Sequence, residues 1–213
     1  MATKALNSDL AKEERTSFKH LLSKIPEYQR QFFDKKGVIS IIRTARANDI
    51  GKIVKLAHDI WIEEPYNNDL SDSEIRRGIE SVLEKVNPIM LVVEQNDKIV
   101  GFIWGYDLYE NKYPVLANYL KNSNHSHIGY IAEMAVSNRL RRHEIAGELL
   151  DSYKELAKQK RIDDIVLDTK NPEAIELYKK MHYKRIIDPV SNQEVVDQAE
   201  DGIYHFFHLE VKL

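Results

Sequence analysis

The sequence predicts one layered α/β domain preceded by a helical segment at the N-terminus. Two observations carry this prediction. From residue 38 onward, short β-branched segments and longer amphipathic segments follow one another in the order β-α-α-β-β-β-α-β-α-β-β, which favours sheet and helix layers around one core. Before residue 38 the chain is charged, with apolar residues at helical intervals. We therefore divide it into a helical extension, 1–37, and a domain, 38–213.

The composition excludes several classes of protein. Charged residues make up 31% of the chain but the net charge is only -3, so the basic excess of a general nucleic-acid binder is missing. The chain has no cysteine, which excludes disulfides, thiolate metal ligands and a cysteine nucleophile. No apolar run approaches the roughly 20 residues that span a bilayer, and the N-terminus lacks the apolar core of a signal peptide. We expect a soluble cytoplasmic protein with no nucleic-acid or membrane partner.

The extension predicts one or two helices that pack on the main domain or project from it. Ser8 or Asp9 is suited to cap the first helix, and Pro26 should break or bend it. The apolar residues that recur at helical spacing are Phe18, Leu21, Leu22 and Ile25.

The first half of the domain predicts a strand, two helices and a hairpin. The strand is the β-branched run 38–43. The second helix opens with Ser71 and Glu74 in the spacing of a capping box. Two apolar strands within 88–109 are joined by a tight turn at 96–98.

The second half predicts an inserted loop followed by alternating strands and helices. The loop covers 110–126 and leaves room for a helical turn. The helix that follows the next strand is strongly amphipathic, because Ile145, Leu149, Tyr153 and Leu156 share one face. The later elements are a strand at 164–169, a helix at 172–181 with Pro172 first, and closing strands at 183–190 and 202–213.

Three arginines mark the turn between the strand 127–136 and the amphipathic helix: Arg139, Arg141 and Arg142. A helix N-terminus presents unpaired backbone N–H groups and about half a positive charge. Arginines at such a turn favour a site for phosphate oxygens. The alternative is that these side chains are merely solvated.

Two sequence patterns carry a resemblance to a known family. The first, Gln/Arg-x-x-Gly-x-Gly/Ala at a helix start, falls on 141–146, five residues after the apolar Val136. The second pairs Asn171 with Tyr178 seven residues later and ends on Tyr183. With these patterns and its order of elements, the chain from about residue 38 onward resembles the GNAT family of N-acetyltransferases. The resemblance implies a mixed central sheet flanked by helices, here with an extra N-terminal helical segment.

Two departures from the family pattern stand out. Glu144 occupies the position of the first motif glycine, and His182 precedes Tyr183 where the family often has Gly-Phe. Glycine lets a backbone approach a phosphate closely, whereas a carboxylate adds bulk and negative charge. We therefore expect weakened binding of acetyl-CoA, unless the side chain points away along the exposed side of the helix.

The resemblance implies acetyl-CoA as acetyl donor, held mainly by the backbone. The strand end should pair with the pantetheine arm, and the Val136 amide should polarise the thioester carbonyl. The following turn should hold the pyrophosphate, and Asn171 should either bond the pantetheine or order its own helix. The predicted donor-binding residues are Met134, Ala135, Val136, Arg141, Arg142, His143, Glu144, Ile145, Ala146, Gly147 and Asn171.

The resemblance also suggests how an amine would attack the thioester. Tyr178 is implied as the acid that protonates the leaving thiolate, the alternative being a packed aromatic residue. Glu133, near the end of an apolar strand, is our choice of base, because a raised pKa at such a position would suit a base that acts directly or through water. It faces solvent if it lies on the other side of the strand, and Asp168 is the alternative base.

The acceptor is expected to be a primary amine of a small molecule or a protein. The loop 61–70 offers Glu63, Glu64, Tyr66 and Asp69, which suit a cationic amine unless the loop is simply solvated. The histidine pairs at 125 and 127 and at 205 and 208 lack a supporting carboxylate cluster, so we predict no metal site. The C-terminal strand is apolar enough for a homodimer. An alternative function is a catalytically silent acyl-CoA-binding or protein-interaction module that docks through the extension.

Overall fold

A computed structural model describes residues 17–64, 66–108 and 113–212. Within these ranges one mixed sheet is flanked by helices, as the sequence predicts. The strands are β1 Gln29–Phe33, β2 Ile39–Thr44, β3 Ile89–Gln95, β4 Lys98–Asp107, β5 Ile128–Val136, β6 Asp164–Thr169, β7 Lys184–Arg185, β8 Val196–Ala199 and β9 Gly202–Glu210. The helices are α1 17–22, α2 Ile50–Trp61, α3 Asp72–Leu83, α4 Ala117–Asn122, α5 Ile145–Gln159 and α6 Pro172–Lys180.

The sheet runs in the order β1-β2-β3-β4-β5-β6-β9-β7, with β8 paired to the outer side of β9. The β5–β6 pair is parallel and the other strand pairs are antiparallel. This parallel pair needs a crossover, which α5 provides. The predicted apolar face of α5 is buried against the sheet.

The N-terminal segment belongs to the same core as the rest of the domain. The four apolar side chains from Phe18 to Ile25 are buried in the main hydrophobic cluster, so the predicted packing is confirmed for 17–25. The prediction of helix through residue 37 is wrong at Gln29–Phe33. After Pro26 the chain is extended and pairs along its whole length with β2. The predicted caps at Ser8 and Asp9 lie outside the described residues.

Two local predictions are confirmed, and a second strand besides β1 was missed. Ser71 and Glu74 form the reciprocal capping box of α3. Asn96 and Asp97 both have positive φ, as the tight turn between β3 and β4 requires. The missed strand is β8, whose polar and mostly exposed residues show no apolar alternation. Of the closing segment 183–190, only the two residues of β7 form a strand.

The feature that positions the site is a bulge in β5. Across the β4–β5 pair, Gly105 lies opposite Ile131 and Trp104 opposite Glu133, so Ala132 is the extra residue. On the other edge, β5 pairs with β6 only as far as Ile131. Beyond that point β5 and β6 separate, and a cleft opens between them. In the described part of the chain, no helix is long and apolar enough to cross a membrane.

Gly105 is the position where this arrangement excludes a side chain. A Cβ there would overlap the carbonyl oxygen of Tyr130 and the hydroxyl of Tyr153, both buried. Gly105→Ala should therefore lower the free energy of unfolding by about 1–3 kcal/mol or more. Urea denaturation followed by circular dichroism measures this change.

Gly78→Ala is the matched control. Gly78 lies in α3, and an added Cβ meets nothing within 4 Å. Because alanine is the better helix former, this change should stabilise by roughly 0.5–1 kcal/mol. Equal effects of the two substitutions would contradict the crowding at Gly105.

Candidate active site

Two cavities meet in the cleft between β5 and β6. The larger has a volume of about 700 Å³ and the smaller about 170 Å³. We call them the long cavity and the small cavity. The residues that line both are Trp61, Tyr66, Glu133, Met134 and Tyr178.

The long cavity collects nearly all of the predicted donor-binding residues. His143 is the exception, since it is absent from the lining. Its Nδ1 lies behind the turn, 3.7 Å from Oδ2 of the buried Asp34. The predicted residues that line the long cavity are Met134, Ala135, Val136, Arg141, Arg142, Glu144, Ile145, Ala146, Gly147 and Asn171.

The end of β5 presents a free backbone edge to the long cavity. Ser137 donates its N–H to the Val100 carbonyl on β4 at 2.8 Å. Backbone groups alternate sides along a strand, so Val136 and Met134 direct theirs to the opposite edge. Because β6 has already separated there, these groups are open to an extended ligand or a developing oxyanion.

The Arg-rich turn keeps a glycine-like backbone at Glu144. Glu144 is the N-cap of α5 with φ 69° and ψ -2°, the left-handed region that favours glycine. Its side chain is exposed, so the carboxylate does not fill the turn. The backbone N–H of Glu148 donates to the Glu144 carbonyl, which is the first hydrogen bond of the helix. The backbone N–H groups of Ile145, Ala146 and Gly147 come before it and therefore have no partner within the helix. These three residues line the long cavity.

Carboxylates pair with two of the three arginines of this turn. Arg141 pairs with Glu63 at 3.4 Å, and Glu63 also accepts a hydrogen bond from the Asn138 side chain. Arg142 pairs with Glu173 at 3.2 Å. The contact with Glu63 ties the loop after α2 to the turn before α5.

Lys35 is a residue of the cleft that the sequence analysis did not find. It lies in the β1–β2 hairpin and lines the long cavity. Its backbone N–H donates to the His143 carbonyl at 3.4 Å. No local pattern signals this contact, because it depends on the strand β1 that we had predicted as helix.

Asn171 begins α6 at the edge of the long cavity. Its Oδ1 accepts the Glu173 N–H at 2.9 Å, and its own N–H donates to Thr169 Oγ1 at 3.0 Å. Asn171 therefore orders the helix start, and Pro172 follows at the first helical position.

Tyr178 separates the two cavities. Its ring packs against Tyr183 and Phe207 with centroid distances of 5.7 and 5.8 Å. Burial, together with the nearby Tyr66, raises the pKa of Tyr178 well above its usual value. The phenol is therefore protonated throughout the neutral range and has a proton to donate at the cleft that Tyr178 lines.

Glu133 follows the bulge and its side chain lines both cavities. It is half-buried on the cleft side. Burial, and then the charge of Asp168, raise its pKa to about 8, while the Trp61 indole opposes the shift. A carboxylate with such a pKa exchanges protons near neutral pH.

The small cavity has further acidic and aromatic residues. Burial raises the pKa of Asp168, whose Oδ1 accepts a hydrogen bond from Tyr130. Asp201 pairs with Lys170 and accepts the Tyr204 hydroxyl at 2.9 Å. The sequence analysis missed Asp201 and Tyr204, because the missed strand β8 and its turn into β9 bring them here.

Only part of the predicted acidic loop reaches the cleft. Tyr66 lines both cavities, whereas Glu63 pairs with Arg141. Asp69 is 88% exposed beside His58, and Glu64 is exposed.

The histidine pairs lie outside both cavities. Each of the four contacts a carboxylate: His125 with Asp163, His127 with Asp107, His205 with Glu194 and His208 with Asp164. In the described ranges no cluster of three or more metal-ligating residues is present.

A comparison with known protein families identifies the family of this chain. Residues 52–183, more than half of the chain, match the family described as the acetyltransferase (GNAT) family. The chain belongs to the acetyltransferase (GNAT) family. The match includes the Arg-rich turn, both cavity-lining strands and Tyr178, as the resemblance implied.

Solved structures share the GNAT fold at low sequence identity. An N-acetyltransferase from Staphylococcus aureus Mu50 is 19% identical, with a TM-score of 0.59, over 81% of this chain and 99% of that one. A GNAT-family acetyltransferase from Streptococcus pneumoniae is 16% identical, with a TM-score of 0.58 and the same coverage. Ard1 from Thermoplasma volcanium is 18% identical, with a TM-score of 0.58, over 82% and 99%. Curated protein sequences give no match.

The pKa of Glu133 predicts a pH dependence of stability. The folded pKa of about 8 exceeds the ordinary 4.5, so this group's contribution is complete below pH 4.5 and is lost as pH rises through 8. Glu133→Gln removes the titration. Its melting temperature relative to the unmodified protein should therefore increase steadily between pH 5 and pH 9.

Thermal melts of the two proteins at matched pH provide the measurement. Groups that do not interact with Glu133 titrate alike in both proteins, so the difference reports Glu133 together with Asp168, whose charge acts on it. A difference that is constant with pH would mean that Glu133 has an ordinary pKa.

Proposed function

We propose that this GNAT acetyltransferase transfers the acetyl group of acetyl-CoA to the nitrogen of a primary amine. The observation that carries the proposal is the meeting of the two cavities at Glu133 and Tyr178. A donor in the long cavity and an acceptor in the small cavity would meet there. The free backbone edge of Val136 lies on the same strand as Glu133.

The long cavity suits an extended donor with an anionic pyrophosphate. The pantetheine arm would pair with the free edge of β5, as another strand does. The pyrophosphate would accept from the amides at the start of α5 and from Arg141 and Arg142. Lys35 adds a third cation from the hairpin. The phosphates would replace the Glu63 and Glu173 carboxylates that now occupy the arginines.

The chemistry is a direct transfer with three proton movements. The amine arrives as an ammonium ion, loses a proton to Glu133 directly or through water, and attacks the thioester carbon. The Val136 amide stabilises the negative oxygen of the tetrahedral intermediate. As the carbon–sulfur bond breaks, Tyr178 supplies a proton to the sulfur, and the second proton of the attacking nitrogen passes through water to the phenolate and restores it. The products are the amide and free CoA, and Glu133 releases its proton to solvent.

The proposed function predicts how Glu144 affects binding of the acetyl donor. Glu144→Gly should tighten acetyl-CoA binding by about threefold to thirtyfold, because it removes a negative charge near the phosphates and a glycine lets the backbone approach them closely. Isothermal titration calorimetry of both proteins with acetyl-CoA and with free CoA measures the change.

Glu176→Gln serves as a control for charge alone. Glu176 lines the same cavity on α6 but has no left-handed backbone and pairs with Lys179. It should alter affinity less than Glu144→Gly. If neither protein binds acetyl-CoA at millimolar concentration, the proposed acetyltransferase function is wrong. That result would favour the alternative of a catalytically silent protein-interaction module.

The proposed function also predicts how the Tyr178 hydroxyl affects turnover. Tyr178→Phe should lower kcat by about 100-fold while donor affinity changes little, since a positioned acid contributes about 10²–10⁴-fold. Turnover is followed by release of the CoA thiol with a panel of amines, and the absence of cysteine removes the protein's own background.

Tyr183→Phe is the matched control. Tyr183 packs against Tyr178, and its buried hydroxyl has no partner in the described part of the chain. Loss of that hydroxyl should leave kcat within about twofold. Unchanged turnover in Tyr178→Phe would remove Tyr178 from the mechanism.

A further inference from the structure

We infer that the acceptor is a small aliphatic diamine, whose second ammonium group binds Asp168 while its first amine reacts beside Glu133. This inference rests on the proposed function and names its substrate class. It also assigns Asp168 to recognition of the acceptor rather than to the alternative role of base.

The charges that line the small cavity are unbalanced. Its lining contains three carboxylates, Glu133, Asp168 and Asp201, and no lysine or arginine. Asp201 is already compensated by Lys170. Glu133 and Asp168 have no ion pair within the described ranges, and the charge of Asp168 raises the pKa of Glu133. Two neighbouring acidic groups without a cation are costly, and a dication supplies both missing charges.

The two carboxylates are suited to different roles. Glu133 lines both cavities and therefore lies beside the position of the thioester. Asp168 lines only the small cavity. One of its oxygens accepts from Tyr130. No described side chain donates to the other, which is therefore available to an ammonium group.

The walls between these carboxylates suit a methylene chain. Apolar side chains of Leu70, Ile131 and Leu167 line the cavity together with the rings of Trp61 and Tyr204. The Lys170 ammonium already lies 5.5 Å from the centroid of the Tyr204 ring, so of these two rings Trp61 is the one that can attract an ammonium group of the substrate. A chain of methylenes with a cation at each end matches this lining better than a neutral or anionic amine does.

The volume limits the length of the acceptor. At about 170 Å³, the small cavity is close to the engineered cavity of about 150 Å³ that accommodates benzene, a molecule of six heavy atoms. Diamines with four or five carbons have six or seven heavy atoms. We therefore commit to a small molecule rather than to a polypeptide or a bulky arylalkylamine.

The test compares each diamine with its matched monoamine. We would measure kcat/KM at pH 8 and saturating acetyl-CoA for 1,4-diaminobutane against butylamine, and for 1,5-diaminopentane against pentylamine. The second charge should raise kcat/KM by about ten- to hundredfold, the range expected of a hydrogen bond between two charged groups.

Asp168→Asn should reduce this diamine-to-monoamine ratio to about one. The ratio is the readout, because loss of Asp168 also changes the pKa of Glu133 and thereby affects all amines. Asp69→Asn is the control. Asp69 lies between Asn68 and Leu70, which line the small cavity, but its own exposed carboxylate does not. The diamine-to-monoamine ratio should therefore be unchanged in this variant.

Each outcome bears on one of the two proposals. Acetylation of both amines with equal kcat/KM would overturn the diamine assignment and leave the proposed function intact. A preference that survives Asp168→Asn would overturn the role of Asp168.

If no amine is acetylated, the proposed function fails and calorimetry decides the site. We would titrate 1,4-diaminobutane into the protein with CoA present. Binding that is lost in Asp168→Asn would support the diamine site. Absence of binding to the unmodified protein would overturn it.

Discussion

The separation of β5 from β6 is the constraint on which the site depends. One extra residue, Ala132, shifts the register against β4 and ends the parallel pairing after Ile131. The bulge requires close approach at Gly105, where the Tyr130 carbonyl and the Tyr153 hydroxyl leave no room for a side chain. Because α5 carries Tyr153 and also begins at the Arg-rich turn, the same packing that bends the strand positions the anion-binding end of the helix.

The two cavities differ in the charges of their lining. The small cavity has only carboxylates as charged lining groups. The long cavity adds cations and the positive end of α5, which would suit phosphates, and carboxylates equal these cations in number. Its charged lining residues are Lys35, Arg141, Arg142, Lys180, Glu133, Glu144, Glu173 and Glu176. Tyr178 lies at the boundary, where burial keeps its phenol protonated. In the proposed function, the acceptor would therefore occupy the more acidic of the two cavities.

The sequence predicts what depends on local pattern and misses what depends on distant pairing. The apolar face of α5, the capping box at Ser71 and the Asn96–Asp97 turn follow from spacing and turn chemistry. The strands β1 and β8 were missed because each is an exposed ribbon without apolar alternation. Those two strands bring Lys35, Asp201 and Tyr204 to the cleft. Glu144 replaces the first glycine of the family pattern, yet its backbone keeps the left-handed φ that favours glycine. Its side chain is exposed, so packing does not oppose this backbone conformation.

The contact between Glu63 and Arg141 links the two halves of the cleft energetically. Glu63 lies in the loop that also supplies Tyr66, Asn68 and Leu70 to the small cavity. A phosphate that replaced Glu63 on Arg141 would release one tether of that loop. Linkage is reciprocal, so an acceptor that shifts the loop would change donor affinity by the same factor. In the proposed function, the affinity for each substrate would then depend on whether the other is bound, and one ion pair on the rim of the cleft would carry that dependence.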